Sequence, residues 1–380
     1  MTTDQKLNLI KRNTAEILTE EDLRGLLESD EQIKHYIGFE ISGKVHLGGL
    51  VCLQKVKDFM DAGAECTIFL ADWHTWINEK LGGDIATIKR VAVGYFKEAM
   101  SAAFACVGGD PKKLKFVLGS DLYHNADTYW ETVIDVAKHV TLSRMQRSIT
   151  ILGRKEGRDV DFAKLIYPAM QVADVFHMGI NLAHAGLDQR KAHVIVRDAA
   201  DKLQLHPLKN KTGKVIKPVA IHNELLMGLG KPEMDVAAIQ SDAERKEAME
   251  SMKMSKSKEA GAVFIHDSEE TIREKIAKAF CPPQEIVFNP ILNWAKLLIF
   301  SREDAFLAVK REEKFGGDKE YKYYDSLETD FKNGGLHPTD LKNAVAAKLI
   351  EILEPARQCF SKGKTKEMLE ELEGLIGKQK

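Results

Sequence analysis

The spacing of hydrophobic residues in the N-terminal part of the chain alternates between helical and strand patterns. Residues 1–34 carry leucines and isoleucine among charges at helical spacing, which predicts amphipathic helix. Residues 36–41 predict a short strand, and residues 46–62 predict a helix that Gly63 stops. The continuous apolar run at 66–71 is typical of a buried parallel strand. Strand, helix and buried strand form a β-α-β unit, so we expect an α/β fold with a Rossmann-like parallel sheet.

The middle of the chain continues this alternation. Helices are predicted over residues 84–106, 125–157, 160–178 and 193–200, and short strands over 116–118 and 218–222. Residues 228–252 are charged and punctuated by Pro and Gly, so we interpret them as a surface insertion. Within it, Ser241 and Glu244 have the spacing of a capping box for a short helix.

The pattern changes again after residue 264. Residues 267–270 have the Ser and acidic residues of a helix start. Further on, an i, i+3, i+4 stripe predicts a core-facing helix, which Pro355 ends or kinks; the stripe consists of Leu341, Ala344, Val345, Leu349, Ile352 and Leu353. We therefore predict a first domain over 1–264, an all-helical second domain over 265–360 and a charged tail over 361–380.

Composition narrows the class of protein. The chain has 380 residues with 55 Lys and Arg against 57 Asp and Glu, a net charge of -2, and 44% hydrophobic residues. This excludes a wholly disordered chain and a simple basic nucleic-acid coat, so DNA is not an expected partner. The count of five cysteines is odd, and they are widely spaced, which favours a reducing compartment. Without an apolar leader or a run near the ~20 residues that span a bilayer, we expect a cytoplasmic location and no membrane contact.

Two short motifs suggest phosphate chemistry. Residues 46–49, His-Leu-Gly-Gly, fall where the first strand hands over to a helix, and glycines at such a turn let a nucleotide approach the backbone. Alone this motif is a weak signal, and a plain glycine turn with an exposed histidine explains it better. Residues 252–258, Met-Lys-Met-Ser-Lys-Ser-Lys, suit a mobile loop that brings ammonium groups to a polyphosphate. Alone this segment equally fits a solvated lysine-rich loop.

The order and separation of the two motifs resemble the signature pair of class I aminoacyl-tRNA synthetases. The likeness extends over about residues 5 to 360 and is similar to tyrosyl-tRNA synthetases of the archaeal and eukaryotic type. It is carried by residues 36–49, 70–76, 166–174, 186–191, 314–318 and 336–345. The resemblance implies a catalytic first domain with a helical connective insertion at about 110–185 and a helical anticodon-recognition domain at 265–360.

Two positions depart from the family pattern. Gly49 stands where the family's first motif usually ends in histidine, so one phosphate or ribose contact is missing or supplied elsewhere. Lys256 is present where some members carry serine, so the loop keeps its full positive charge.

Polar residues on one predicted helix face suggest a substrate pocket. Tyr167, Gln171 and Asp174 lie at i, i+4 and i+7 in an otherwise apolar segment. A half-exposed helix would also explain them. The resemblance implies that Tyr167, Gln171 and Gln189 hold the amino group of L-tyrosine, while Tyr36 and Asp174 bind its phenol hydroxyl. Phenylalanine would leave those last two groups unpaired, which disfavours the wrong substrate.

The resemblance also implies how ATP is used. The tyrosine carboxylate attacks ATP to give tyrosyl-adenylate, and the tRNA ribose then takes the tyrosine. His46, Lys253 and Lys256 would stabilise charge on the phosphates. The implied ATP contacts are Gly38, Gly48, Gly49, Met254, Ser255 and Ser257. Mg²⁺ would accompany ATP, and we expect no dedicated metal site because no such ligand spacing is present.

Contacts to tRNA(Tyr) follow from the same resemblance. Arg190 and Lys191 would bind the acceptor stem, while Phe315, His337 and Asp340 would recognise the first anticodon base. The family forms homodimers through the catalytic domain, and we expect one here. Two other hypotheses stay open at this point: tryptophan activation by the shared fold, and a synthetase-like RNA-binding protein that has lost catalysis.

Overall fold

The structure is a computed structural model that describes residues 1–148, 161–232, 241, 244, 248–249, 251–255, 259–303 and 305–378. Strands among these residues are β1 Thr14–Leu18, β2 Lys34–Phe39, β3 Glu65–Leu70, β4 Lys115–Leu118, β5 Leu182–Gly186, β6 Val219–Asn223, β7 Leu307–Val309 and β8 Lys319–Tyr321. The α-helices before the fifth strand are α1 Thr3–Lys11, α2 Glu20–Glu28, α3 Gly48–Asp61, α4 Asp72–Ile77, α5 Ile85–Val91, α6 Lys97–Cys106, α7 Gly119–Tyr123, α8 Asp127–Lys138, α9 Leu142–Ser148 and α10 Phe162–His177. Those after it are α11 Arg190–Ala200, α12 Glu269–Ala277, α13 Pro290–Trp294, α14 Tyr324–Lys332, α15 Pro338–Cys359 and α16 Gly363–Gly377.

The main sheet has six strands in the order β1-β6-β5-β2-β3-β4. Strands β2 to β6 pair in parallel, and β1 joins β6 antiparallel at the edge. From β2 the chain first builds outward through β3 and β4, and later returns to β2's other side with β5. This reversal makes a topological switch point between β2 and β5, where the carboxyl ends of the strands leave a crevice for a ligand. The predicted α/β class and the β2-α3-β3 unit are confirmed.

Two strands, β1 and β5, were not predicted from the hydrophobic pattern of the sequence. Residues 1–34 are not wholly helical, because β1 separates α1 from α2 and pairs with β6, about two hundred residues later in the chain. Strand β5 was not predicted either, since its sequence, Leu-Ala-His-Ala-Gly, lacks β-branched residues. Its neighbours on both sides make it a central, buried strand. Both segments are strands because they pair with distant segments of the chain, and the local hydrophobic pattern contains no information about such pairing.

The predicted helices of the middle region are partly confirmed. Helix α10 matches the predicted 160–178, whereas the predicted 125–157 helix is divided, with α8 ending at Lys138 and α9 starting at Leu142. Residues 149–160 and most of the proposed insertion at 228–252 lie outside the described residues. Ser241 and Glu244 do form the predicted reciprocal hydrogen bonds, at 2.9 and 3.2 Å.

The C-terminal region is mainly helical, but the expectation that it is all helical was wrong. Strands β7 and β8 form a two-stranded antiparallel sheet. Pro355 does not end its helix: α15 runs on to Cys359. In the turn where Pro355 offers no N–H, the Arg357 side chain donates to the carbonyl oxygen of Ile350 at 2.7 Å. The predicted helix start before α12 is confirmed, with Ser268 as the N-cap.

The core continues from the sheet into the C-terminal helices. One cluster of buried side chains includes Phe59 of α3, Trp294 of α13 and Leu349 of α15. The boundary between residues 264 and 265 therefore stays a prediction, because packing runs across it. Among the helices described, none is long and apolar enough to cross a membrane.

A tyrosine hydroxyl fixes the loop after β2. Buried Tyr95 accepts a hydrogen bond from the Val45 backbone N–H at 3.0 Å, and its oxygen lies 3.0 Å from Nε2 of His266. Burial lowers the pKa of His266 to about 3, so the hydrogen bond joins the hydroxyl to a neutral ring. One hydroxyl thus joins the segment that precedes His46 to residues of the C-terminal region.

We expect Tyr95→Phe to destabilise the protein, because the Val45 N–H loses its buried partner. The cost of such an orphaned group is about 1–3 kcal/mol. Thermal unfolding checks this, with Tyr324→Phe as the control, since that hydroxyl donates to the Glu328 side chain one helical turn away. Equal midpoint shifts in the two variants would contradict the assigned role.

Candidate active site

A cavity of about 690 Å³ opens at the carboxyl ends of β2 and β5, at the switch point of the sheet. Most of the predicted site residues that the structure describes in this half of the chain line it: Tyr36, Gly38, His46, Gly48, Gly49, Tyr167, Gln171, Gln189, Lys253, Met254 and Ser255. Lys256 and Ser257 lie outside the described residues. Residues that are far apart in sequence therefore meet at one pocket.

Backbone pairing holds the first motif in place. The Leu47 N–H donates to the Val263 carbonyl at 3.0 Å, and the Ile265 N–H donates to the Val45 carbonyl at 3.1 Å. The ring of His46 folds back so that its Nδ1 accepts from the Gly48 N–H at 3.0 Å. A Cβ on residue 48 would come within 2.7 Å of that ring, so the ring position requires glycine there.

The described start of the lysine loop is pinned in the same way. The Gly228 N–H donates to the Met252 carbonyl, and the Met254 N–H donates to the Leu226 carbonyl, both at 2.7 Å. Between these bonds, Lys253 Nζ lies 2.7 Å from Asp188 Oδ2. An ammonium group is thus held beside the cavity, within the loop that resembles a phosphate-binding segment.

One end of the cavity is rich in neutral polar groups. The Tyr167 hydroxyl donates to Glu40 Oε1 at 2.9 Å, and the Gln171 amide donates to Gln189 Oε1 at 3.3 Å. The Oε1 atom of Gln171 is buried and accepts no hydrogen bond. A buried acceptor without a partner is costly, so it marks a place where a donor from a ligand would be favourable.

Asp174 is fully buried and is not among the residues that line the cavity; it lies behind the inner end, next to His74, which does line it. The hydroxyls of Tyr123 and Tyr129 donate to Asp174 Oδ1 at 2.9 and 3.1 Å, whereas Asp174 Oδ2 has no hydrogen-bond partner. Burial raises the pKa of Asp174 to about 8, although the two hydroxyl hydrogen bonds lower it. His74 Nε2 lies 3.8 Å from Oδ2, and burial lowers the pKa of His74 to about 3, so it carries no compensating charge.

Tyr36 forms part of the same wall. Its ring lies against Phe69, with centroids 5.7 Å apart, and burial followed by the charge of Asp174 raises its pKa. The Tyr36 hydroxyl lies 2.7 Å from the place where a Cβ of residue 38 would stand. Glycine at 38 is therefore required by the position of the Tyr36 side chain.

Several site residues were missed by the sequence reasoning: Glu40, His74, Tyr123, Tyr129 and Asp188. Glu40 directly follows β2, so its position at the carboxyl end of a parallel strand was a usable signal. Tyr123 and Tyr129 gave no signal, because only folding of α7 and α8 over α10 brings them to Asp174.

Four buried histidines lie at the back of the cavity, and two of them, His184 and His193, line it. His35 and His184 have ring nitrogens 3.1 Å apart, and His193 and His222 have ring nitrogens 3.0 Å apart. Within the described part of the chain, no group of three or more His, Cys, Asp or Glu side chains is placed to hold a metal ion. These histidines therefore serve as hydrogen-bonded polar groups beneath the pocket.

The predicted acceptor-stem residues lie on α11. Arg190 Nε is held by both carboxylate oxygens of Glu16, at 2.9 and 2.8 Å, so β1 positions its guanidinium. Lys191 Nζ donates to the Arg147 carbonyl at 3.4 Å. Both side chains are exposed and positively charged, as a phosphate contact requires.

The predicted anticodon residues lie on two neighbouring loops. Phe315 is 60% exposed, and His337 caps α15, with Asp340 in the first turn of that helix. Arg311, which sequence reasoning missed, ties the two loops together by donating to the carbonyls of Gly317 and Gly335 at 3.0 and 3.1 Å. Arg311 thus joins the segment that follows Phe315 to the segment that precedes His337.

Comparison with known proteins identifies the family. The model of the class I tRNA synthetases (W and Y) matches residues 28–354. A tyrosine–tRNA ligase of Thermococcus gammatolerans is 55% identical over 364 residues, which is 95% of this chain and 96% of that protein. The crystal structure of a tyrosyl-tRNA synthetase from Pyrococcus horikoshii, complexed with L-tyrosine, superposes with a TM-score of 0.94 at 52% identity, covering 98% of this chain and all of that one. A tryptophanyl-tRNA synthetase of Aeropyrum pernix shares only the fold, at 17% identity and a TM-score of 0.63, over 93% of this chain and 84% of that one. The chain therefore belongs to the tyrosyl-tRNA synthetases, within the class I tRNA synthetase family.

Proposed function

We propose that this protein activates L-tyrosine with ATP and transfers it to tRNA(Tyr), and that the described cavity is where it does so. The observation that carries the assignment to this cavity is the pair of buried acceptors without hydrogen-bond partners: Gln171 Oε1, on a residue that lines the cavity, and Asp174 Oδ2, next to His74 of the cavity wall. A tyrosine molecule offers a donor at each end, the phenol hydroxyl and the ammonium group. Tryptophan activation has no comparable support, because its relative shares the fold alone.

Asp174 suits a phenol in either protonation state. As a carboxylate it accepts the phenol proton, and as an acid it donates to the phenol oxygen, since a hydroxyl group both donates and accepts. Phenylalanine offers neither option and would leave Oδ2 buried and unpaired. Tyr36, in the adjoining wall, is the second group at this end. Tyr167, Gln171 and Gln189 would receive the ammonium group.

Activation then requires alignment more than a protein nucleophile. A carboxylate oxygen of tyrosine attacks the α-phosphorus of ATP, and pyrophosphate leaves. His46 and Lys253, which line the cavity, would stabilise the phosphates, with Lys256 as a further cation of the loop. Gly38, Gly48 and Gly49 would contact ATP through their backbone, and Met254, Ser255 and Ser257 would complete its site. Gly49 supplies no imidazole, so His46 is the motif's one histidine contact.

Mg²⁺ is proposed to enter with the phosphates of ATP and to neutralise part of their charge. The described residues offer lysines rather than a carboxylate cluster at this end of the pocket, which fits an ion carried by the nucleotide. In the second step the terminal ribose hydroxyl of the tRNA attacks the activated carbonyl, and AMP leaves. Arg190 and Lys191 would hold the acceptor stem, while Phe315, His337 and Asp340 would read the anticodon in the cytoplasm.

Exchange of pyrophosphate into ATP tests the assignment. We expect exchange with tyrosine and none with tryptophan. Asp174→Ala should lower kcat/KM for tyrosine about tenfold or more and reduce the preference over phenylalanine, because one buried hydrogen bond to the phenol is lost. Asp330→Ala is the control, since that partly buried carboxylate accepts from Lys319 and Tyr321 in the C-terminal region and does not line the cavity. Unchanged discrimination in the Asp174 variant would refute the pocket assignment.

The raised pKa of Asp174 predicts a pH dependence of stability. Its folded-state pKa of about 8 lies above the ordinary 3.8, so the folded state binds the extra proton between these values. Stability contributed by this group therefore falls as pH rises from about 4 to 8. The asparagine of Asp174→Asn does not titrate. The free energy of unfolding of this variant, relative to that of the wild type, should therefore rise as pH increases across that window. One unit of pKa corresponds to about 1.4 kcal/mol, so the rise should reach a few kcal/mol at pH 8. Urea unfolding at pH 5 and pH 8 measures this, and a difference independent of pH would contradict it.

A homodimer is proposed through an apolar patch on α8. Ile134 and Leu205 are 62% and 57% exposed, and Trp130 adjoins them. The rim carries charges of both signs, Asp127 and Lys138, which suits a self-complementary contact with a second copy.

Light scattering after size exclusion tests the dimer. We expect the wild type to have the mass of two chains and Ile134→Glu to have the mass of one, because a buried glutamate would lack a partner. Val287→Glu, on another exposed apolar residue, should remain dimeric. A monomeric wild type, or an Ile134→Glu variant that still dimerises, would overturn this interface.

A further inference from the structure

The C-terminal helix α16 is packed against the rest of the protein rather than loose. Its apolar side chains recur at helical spacing and join the main core; they are Met368, Leu369, Leu372, Leu375 and Ile376. Leu372 is fully buried. The charged tail predicted from the sequence is therefore an amphipathic helix with a defined seat.

That seat lies beside the active-site cavity. Glu371 pairs with Arg90 Nε at 2.7 Å, and Glu373 pairs with Lys44 Nζ at 3.2 Å. Ile376, in the last turn of the helix, lines the cavity, as does Lys44. The C-terminal helix thus reaches the loop that carries the first signature motif.

Lys44 is held in a defined position. Besides its ion pair with Glu373, its ammonium group lies 4.6 Å from the centre of the Phe264 ring. Its side chain is 18% exposed, whereas that of Glu373 is 48% exposed. It stands two residues before His46 and lines the same cavity as Lys253. This places another cation on the side of the pocket where the phosphates are proposed to bind.

We propose that Lys44 binds the phosphates of ATP, and that Glu373 of the C-terminal helix is the positioning residue for Lys44. This inference rests on the proposed function. A lysine has a flexible stem, and fixing it before ATP arrives reduces the conformational entropy that binding must remove. The carboxylate is half exposed and well solvated, so it orients the ammonium group while screening only part of its charge.

The test uses the full chain and tyrosine-dependent pyrophosphate exchange. Glu373→Gln should raise the KM for ATP about two- to fivefold, the range expected for a solvent-exposed ion pair, with kcat and the KM for tyrosine unchanged. Glu370→Gln is the matched control, because Glu370 lies on the same helix and pairs with Lys366 within it, at 3.6 Å. Its KM for ATP should equal that of the wild type.

A double variant separates positioning from a general effect of charge. Lys44→Met should raise the KM for ATP about tenfold or more, because a charge-assisted contact to phosphate is lost. Adding Glu373→Gln to Lys44→Met should then leave the KM for ATP at the value of the Lys44→Met variant. The inference is overturned if Glu373→Gln leaves the KM for ATP unchanged or lowers it, if the glutamine change acts equally in the Lys44→Met background, or if Glu370→Gln has the same effect. A wild type without tyrosine-dependent exchange would instead overturn the proposed function itself.

Discussion

The active site depends on a short backbone pairing between residues 45–47 and residues 263–265. This pairing joins the first signature motif to the segment that follows the lysine loop, across more than half the chain. Two hydrogen bonds fix the separation between the segment that carries His46 and residues 263–265. Because catalysis by alignment requires fixed distances between charged groups, this contact is the constraint on which the nucleotide side of the pocket depends.

The two ends of the cavity near that contact differ in their polar groups. Behind the inner end lies a buried carboxyl group with one oxygen unpaired, which costs stability in the absence of ligand. The outer end holds its lysines in ion pairs, Lys253 with Asp188 and Lys44 with Glu373. The first arrangement favours a ligand with a hydroxyl group, and the second keeps cations oriented for phosphate. The two ends of the pocket therefore differ in chemistry, because one has an unpaired buried acceptor nearby and the other has oriented cations.

The C-terminal region contributes to this pocket as well as to the proposed reading of the anticodon. Tyr95 links Val45 to His266, and α16 places Glu373 against Lys44. The continuous core between the sheet and α15 explains how these contacts are kept rigid. A boundary at residue 264 describes the change in sequence pattern, whereas the buried side chains of the two regions pack in one continuous cluster.

The sequence by itself determined the α/β class, the β2-α3-β3 unit and the two motifs, because each depends on local period or on a contiguous string. It also placed Tyr167, Gln171 and Asp174 on one helix face, since helical spacing alone decides that. Only the tertiary structure decided that β1 and β5 are strands, because their partners lie far away in the chain. It alone brought Tyr123 and Tyr129 to Asp174, and Glu373 to Lys44. Contacts between distant segments leave no periodic trace in either segment, so folding had to supply them.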